Sequence, residues 1–161
     1  MIDRQAKIES YGRAADRLEA ALLEFPRAMW LYRPDDNDWT IHEIVVHIAD
    51  SEANSYVRCR RLIAEPGSEV MGYDEAGWAR ALRYHEQDPA EALKLFRALR
   101  RASYELIRDL PEAVWSHTVV HTESGRLSFD QWLDIYERHV PEHIAQMRAI
   151  YHTWRLEQDE P

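Results

Sequence analysis

Residues 129–151 read FDQWLDIYERHVPEHIAQMRAIY, and this stretch decides the fold class. Its apolar residues recur at every third or fourth position: Phe129, Trp132, Tyr136, Val140, Ile144, Met147 and Tyr151. That period is typical of an amphipathic α-helix with one buried face. His139 and His143 are four positions apart and fall on the same side as Tyr136 and Met147. The stretch therefore predicts a long helix with two histidine rings directed into the protein.

Two inward histidines need partners, because a buried polar group without a hydrogen bond or a metal costs about 1–3 kcal/mol. At a spacing of four, two imidazoles can bind one metal ion, but they can equally be core residues bonded to backbone or carboxylate groups. His139-Val-Pro-Glu-His143 also spells H-x-x-E-H, the inverted zinc-protease motif, which would make Glu142 a general base. We reject that interpretation, since Pro141 interrupts the helix between the ligands and only 18 residues follow His143.

Composition limits the function classes. The 161 residues suffice for one domain, which we take as residues 1–161. A net charge of −9 argues against a nucleic-acid partner and against an anionic membrane surface. The single cysteine, Cys59, and an N-terminus without the apolar core of a signal peptide favour a cytoplasmic protein. No apolar run is long enough to span a membrane.

The same helical period occurs three more times. It predicts helices over residues 5–30, 40–64, 89–109 and 128–152, the first of them broken or bent near Pro26. Thr40 with Glu43, and Ser128 with Gln131, have the spacing of a capping box, and Asp88-Pro89 is a strong helix start.

Two long connections join these helices. Residues 66–87 carry a short helical pattern, and residues 112–127 contain Val119-Val120 and Ser124-Gly125, for which we expect at most a short pair of strands. A link as long as the first can cross the bundle, so helices two and three can run parallel. The fold class is therefore all-α, a four-helix bundle with long crossover connections.

Other candidate site residues allow two interpretations each. His47 lies at the edge of the apolar stripe of helix two, where a lone histidine is more often a satisfied core group. His117 and His121 form a rival pair, although the residues between them favour a strand. Glu52 occupies a stripe position where an apolar residue is expected, so it either supports a metal-bound group or pairs with Arg, Tyr or Trp. Cys59 is most simply a small core residue.

Several motifs together resemble the DinB/YfiT-like superfamily of metal-binding four-helix bundles. The resemblance covers roughly Leu18 to Tyr151. Its residues are WTIHEIVVHIADSE at 39–52, YDEAGW at 73–78, LPEAVW at 110–115, GRLSF at 125–129 and WLDIYERHVPEHIAQ at 132–146.

This resemblance implies an up-down-down-up bundle and a divalent metal held by His47, His139 and His143. Pro141, between two of these positions, departs from the pattern and leaves the Glu137 carbonyl without its helical hydrogen-bond partner. Known relatives include transferases and isomerases that use bacillithiol, mycothiol or glutathione. Three imidazoles leave a divalent ion with open positions, and Zn²⁺, Ni²⁺ and Fe²⁺ all accept imidazole.

Two classes of function follow. One is a metal-dependent transferase that uses a low-molecular-weight thiol cosubstrate on a small-molecule substrate, with Glu52 or Glu142 as candidates for proton transfer. The other is a non-catalytic metal-binding protein with a stress-response or interaction role. The heavy tryptophan and tyrosine content also suggests a homodimer.

Overall fold

The structure, a computed structural model, describes residues 3–158. The described residues contain these α-helices: α1 (Arg4–Gly12), α2 (Ala14–Leu22), α3 (Ile41–Ala64), α4 (Glu75–Ala81), α5 (Pro89–Ile107) and α6 (Phe129–Gln158). Short 3₁₀ segments lie at Arg27–Met29, Tyr84–Glu86 and Glu112–Ser116. The strands are β1 (Glu69–Val70), β2 (Thr118–His121) and β3 (Gly125–Ser128).

The long helices form the predicted all-α, up-down-down-up four-helix bundle. The pair α1 and α2 is its first member, followed by α3, α5 and α6. Residues 65–88, here called the crossover segment, connect α3 to α5 and contain β1 and α4. Because this segment returns the chain to the end where α3 began, α3 and α5 run parallel and pack against each other.

The first helix, predicted over residues 5–30 with a break or bend near Pro26, ends earlier than predicted and is also divided after Gly12. Helix α1 ends at Gly12 and α2 ends at Leu22. Glycine is a poor helix former, and here a Cβ atom would lie 2.6 Å from Cδ2 of Tyr104, so the α1–α5 approach requires a residue without a side chain. Pro26 has no N–H to continue a helix and disfavours helical geometry at the residue before it.

The other helix starts match their capping signals. The Thr40 hydroxyl accepts from Glu43 N at 3.1 Å, and the Glu43 carboxylate accepts from Thr40 N at 2.9 Å, which is the predicted capping box. Ser128 and Gln131 bond reciprocally in the same way before α6. The Asp88 carboxylate accepts from Ala90 N at 2.8 Å, with Pro89 as the first residue of α5.

A small sheet closes one end of the bundle. Strands β2 and β3 form an antiparallel hairpin, whose turn uses Gly125 at a φ of 77°. The two-residue strand β1 adds to β2 in parallel, so the sheet is larger by one strand than the pair that we expected.

The buried residues form two clusters. One includes Leu18, Ile44 and Met147, and the other lies toward the sheet and includes Trp132 and Val119. Trp30, Trp115 and Trp132 are among the buried residues, whereas Trp78 is 37% exposed. Most of the aromatic content therefore stabilises the core. Among residues 3–158, no helix has both the length and the apolar character needed to cross a bilayer.

Candidate metal centre

His47, His139 and His143 come together where α3 faces α6, and we call them the histidine triad. Nε2 of His139 lies 3.3 Å from Nε2 of His47 and 3.2 Å from Nε2 of His143. One nitrogen from each ring can be chosen so that all three lie within 4.8 Å of one another. In the described part of the chain, this is the one group of three such side chains close enough to hold a metal.

Two helices carry these rings. His139 and His143 are one turn apart on α6, and His47 is in the second turn of α3. Helix α6 continues through Pro141, which lies on its exposed side. The proline removes one N–H donor from the helix but does not separate the two histidines.

The spacing of the nitrogen atoms suits a tetrahedral ion. Two imidazole nitrogens that each lie about 2.0–2.1 Å from a tetrahedral zinc ion are about 3.3–3.4 Å apart. The two contacts from His139 Nε2 are close to that value. Neutral rings whose lone pairs face one point repel one another, whereas a cation at that point accepts all three pairs. The residues present therefore fit a divalent metal.

The surroundings keep the triad uncharged. Burial, reinforced by the nearby His143, lowers the pKa of His47 to about 3. Burial and the charges of the other two rings lower the pKa of His139 to about 2. Burial also lowers the pKa of His143, although its hydrogen bond to Gln146 and the charge of Glu142 oppose that shift. Neutral imidazole is the form that binds metals.

Two neighbours orient the triad. Nδ1 of His143 lies 2.8 Å from Oε1 of Gln146, so this nitrogen donates and the lone pair of Nε2 faces inward. The Trp39 ring lies 4.6 Å from the His47 ring in an edge-to-face arrangement. Nδ1 of His47 is buried and has no hydrogen-bond partner in the described structure, so packing against Trp39 holds that ring.

Trp39 also borders a surface cavity of about 530 Å³. Its walls come from the loop before α3, from α4 and from the following 3₁₀ turn, and they carry both signs of charge. The charged lining residues are Arg33, Asp36, Asp38, Glu43 and Arg80. Trp39 lines this cavity, whereas none of the three histidines of the triad is among its lining residues.

Glu52 does not support the triad. It is 1% exposed and its carboxylate accepts from Tyr11 Oη at 2.7 Å and from Arg100 Nη2 at 2.6 Å. Arg100 is equally buried and also donates to the backbone carbonyls of Tyr11 and Tyr136. Of the two interpretations, the structural bond to Arg and Tyr is the one that the structure contains. Glu52 is therefore removed from the candidates for proton transfer.

The remaining candidates lie apart or are inert. Glu142 is exposed beside His143 and bonds to neither of the other two histidines. Cys59 is fully buried, and burial raises the pKa of its thiol to about 12, so it is a core residue and not a nucleophile.

The rival pair His117 and His121 does not form a site. Nδ1 of His117 lies 2.9 Å from the carbonyl oxygen of Leu62. Nδ1 of His121 accepts from the backbone of the turn that joins β2 to β3. Within residues 3–158, neither ring belongs to a group of three side chains close enough to hold a metal ion.

Sequence reasoning missed the roles of Gln146 and Trp39. The role of Gln146 could have been predicted, since it follows His143 by three positions on a helix and so lies on the same face. Trp39 was not, because it precedes α3 by a capping residue and its contact with His47 depends on how the loop folds back.

Comparison with known proteins agrees with this fold. The sequence model of the DinB superfamily matches residues 10–147. The solved structure described as "YfiT from Bacillus subtilis is a probable metal-dependent hydrolase with an unusual four-helix bundle topology" superimposes with a TM-score of 0.84. At 24% identity it covers 93% of this chain and 88% of that chain, and so it supports the fold alone.

Two curated relatives carry similar names. The chain is 34% identical over 113 residues to "Putative metal-dependent hydrolase OB0782" of Oceanobacillus iheyensis, a match that covers 70% of this chain and 64% of that protein. It is 28% identical over 116 residues to "Putative metal-dependent hydrolase YfiT" of Bacillus subtilis, covering 71% of this chain and 65% of that one. The match thus spans less than two thirds of each relative.

Proposed function

Since this chain belongs to the DinB superfamily, we propose that it is a metal-dependent enzyme whose histidine triad holds a catalytic divalent ion, Zn²⁺, Ni²⁺ or Fe²⁺. The reaction we assign to it is transfer of a low-molecular-weight thiol to a small electrophilic substrate. The convergence of three neutral imidazoles on one point, with His47 buried and His139 and His143 half-buried, carries this proposal.

The ligand set is that of a catalytic site. Structural zinc sites use four protein ligands, whereas catalytic sites use three and leave a position for water or substrate. A divalent ion in such a site lowers the pKa of a bound thiol or water. The chain supplies the three ligands, with Gln146 and Trp39 to orient them.

The protein groups around the triad favour a thiol as the nucleophile. In the described structure, the hydrogen bonds of the three histidines go to one another and to Gln146, so no carboxylate is hydrogen-bonded to these rings. A free thiol has a pKa near about 8.5 and ionises on a metal without further help. The buried Cys59 cannot serve as a protein nucleophile, so in this proposal the thiol comes from outside the chain.

A second candidate is hydrolysis, because the curated relatives are named as metal-dependent hydrolases. In that reaction water replaces the thiol at the same ion. The third alternative is a metal-binding protein without catalysis.

One experiment distinguishes these three hypotheses. Metal-loaded protein is assayed for conjugation of glutathione, bacillithiol or mycothiol to a chlorinated aromatic compound and to an epoxide, and for hydrolysis of an activated ester without thiol. We expect thiol conjugation that falls at least about tenfold in His47→Ala. It should survive in Cys59→Ser and in His152→Ala, an exposed histidine on α6 that serves as the matched control.

The alternatives predict different results. Ester hydrolysis without thiol conjugation would mean that water and not a thiol is the nucleophile. The triad would remain the proposed site. The non-catalytic alternative would be favoured if fully metal-loaded protein showed neither reaction with any pair of thiol and electrophile tried.

A further inference from the structure

Helix α5 has two apolar stripes, and only one of them faces the core. The first contains the buried residues of the helix. The second lies one position earlier each time and runs through Leu95, Leu99, Ala102 and Leu106. Leu95 is 48% exposed and Leu106 is 39% exposed. Exposed apolar residues that share one side of a helix mark an interaction surface, whereas single ones are ordinary.

Helix α3 continues this second stripe sideways. Tyr56 is half-buried, and Val57 is 51% exposed. Arg60 joins the two helices, because its guanidinium lies 3.2 Å from the centre of the Tyr56 ring and its Nη1 donates to Ser103 Oγ at 3.3 Å. Ser103 follows Ala102 directly on α5. The exposed apolar sides of the two parallel helices therefore adjoin. We call this surface the α3–α5 face, and its members are Tyr56, Val57, Leu95, Leu99, Ala102 and Leu106.

The helices that form this face are the part of the chain without excess negative charge. The whole chain has a net charge of −9, and a surface of one sign repels a second copy of itself. Residues 50–65 and 88–109 together contain eight Arg and Lys against seven Asp and Glu. Two copies can therefore meet at the α3–α5 face without the like-charge repulsion that the rest of the chain would cause.

The charges also differ between the two ends of the face. Acidic residues are in excess at the start of both helices, and basic residues are in excess at the end. The charged residues at the start are Asp50, Asp88, Glu91 and Lys94, and those at the end are Arg58, Arg60, Arg61, Glu65, Arg101, Glu105, Arg108 and Asp109. Glu52 and Arg100 are bonded to each other in the core, and Arg97 bonds to Glu19 of α2. An antiparallel second copy brings the acidic start of one helix pair to the basic end of the other, and it also opposes the helix dipoles.

The size of the face suits a dimer. Helix α5 has 19 residues, so the face is about 28 Å long at 1.5 Å per residue and about 20 Å wide for two adjoining helices. This footprint of about 560 Å² is of the same order as the about 800 Å² that each partner buries in a standard interface. A second copy presents an equal apolar area and the same charge pattern in reverse.

We propose that the α3–α5 face binds the same face of a second copy of this chain, with the helices of the two copies antiparallel. A two-fold axis in the plane of contact, at right angles to the helices, generates this arrangement, so that α5 lies against α5 and α3 against α3. The proposal is independent of the proposed enzyme activity, because no histidine of the triad belongs to the face.

Glutamate substitutions on the face test the contact. Sedimentation velocity at tens of micromolar protein compares the wild type with Leu95→Glu and Leu106→Glu. We expect the mass of two chains for the wild type and at least about tenfold weaker dimerisation in each variant, because a two-fold contact buries each new charge twice. The matched control is Leu156→Glu, a leucine of α6 that is 56% exposed, and it should dimerise as the wild type does.

Cysteine cross-linking tests the direction of the helices. In an antiparallel pair, Leu95 of one copy lies near Leu106 of the other, whereas the two copies of either residue lie far apart. Under mild oxidation, a mixture of Leu95→Cys and Leu106→Cys should therefore form more disulfide-linked dimer than either variant alone. The natural Cys59 is buried and does not contribute. Cross-linking of either single variant that equals that of the mixture would overturn the antiparallel arrangement.

Two further results would overturn the proposal. One is a wild-type protein with the mass of a single chain at tens of micromolar. The other is a dimer that Leu95→Glu and Leu106→Glu leave intact, since two copies would then meet elsewhere. If a glutamate variant fails to fold, the cysteine pair carries the test. Failure of the proposed function is distinguishable, because zinc uptake and thiol conjugation are measured on the same samples and their loss leaves the sedimenting mass unchanged.

Discussion

Removing the carboxylate of Glu52 should destabilise the protein strongly. Glu52 and Arg100 are each 1% exposed, and 2.6 Å separates their bonded atoms. Glu52→Ala leaves the Arg100 guanidinium buried without its counter-charge and the Tyr11 hydroxyl without its acceptor. Breaking a buried pair in this way costs about 3–5 kcal/mol. For a domain of this size, that lowers the melting temperature by about 6–20 °C.

Urea denaturation of metal-free protein measures this loss. The matched control is Glu19→Ala, because Glu19 pairs with Arg97 one turn before Arg100 on α5 but both side chains of that pair are nearly half exposed. Exposed pairs contribute about 0–1 kcal/mol, so the control should shift little. The double variant Glu52→Leu/Arg100→Met should lose less than the sum of its single variants, with a coupling of at least about 2 kcal/mol.

Two results would refute this reasoning. A Glu52→Ala loss no larger than that of Glu19→Ala would mean that the pair is not buried as described. Weaker metal binding by Glu52→Ala at unchanged stability would mean that Glu52 acts at the metal and not as a structural partner.

Three further predictions concern the triad and the assembly. Chelator should lower the melting temperature of the metal-loaded wild type and hardly change that of His143→Ala. A metal at a thousandfold excess over its Kd adds about 4 kcal/mol to the stability of the folded protein. Equal shifts of the two melting temperatures in calorimetry would argue against this site. The free energy of unfolding of the metal-free protein should decrease as the pH falls below 6.5, by about 1.4 kcal/mol per pH unit for each ring. In the unfolded state His47 and His139 take up protons over this range. In the folded state they stay neutral, because their pKa values are about 3 and about 2. Urea titrations at a series of pH values measure this slope, and a flat profile down to pH 5 would contradict the burial of the rings. We also predict a homodimer. Light scattering at tens of micromolar protein measures the mass, and the mass of one chain would contradict this prediction.

The bundle could be predicted from sequence alone, because the signals involved are local. A three-to-four apolar period, together with Thr40, Asp88 and Ser128 as caps, predicts each helix from its own residues. The bounds of α3 and α5 follow from those signals to within two residues. The first helix was predicted too long, since its period continues past the point where Gly12 and Pro26 end regular helix.

Only part of the candidate site could be predicted from the residues of one helix. His139 and His143 share one helix, so their spacing alone places them together. His47 comes from α3, and its assignment depended on a family resemblance until the structure brought its Nε2 to 3.3 Å from that of His139.

Tertiary structure alone decided how the buried polar groups pair. The partner of Glu52 is Arg100, 48 positions away, and that of Arg58 is Tyr136, 78 positions away. A helix pattern shows that a charge faces inward but not which charge meets it, because that depends on the order, direction and rotation of four packed helices. For the same reason, the structure and not the sequence removed Glu52 from the candidate site.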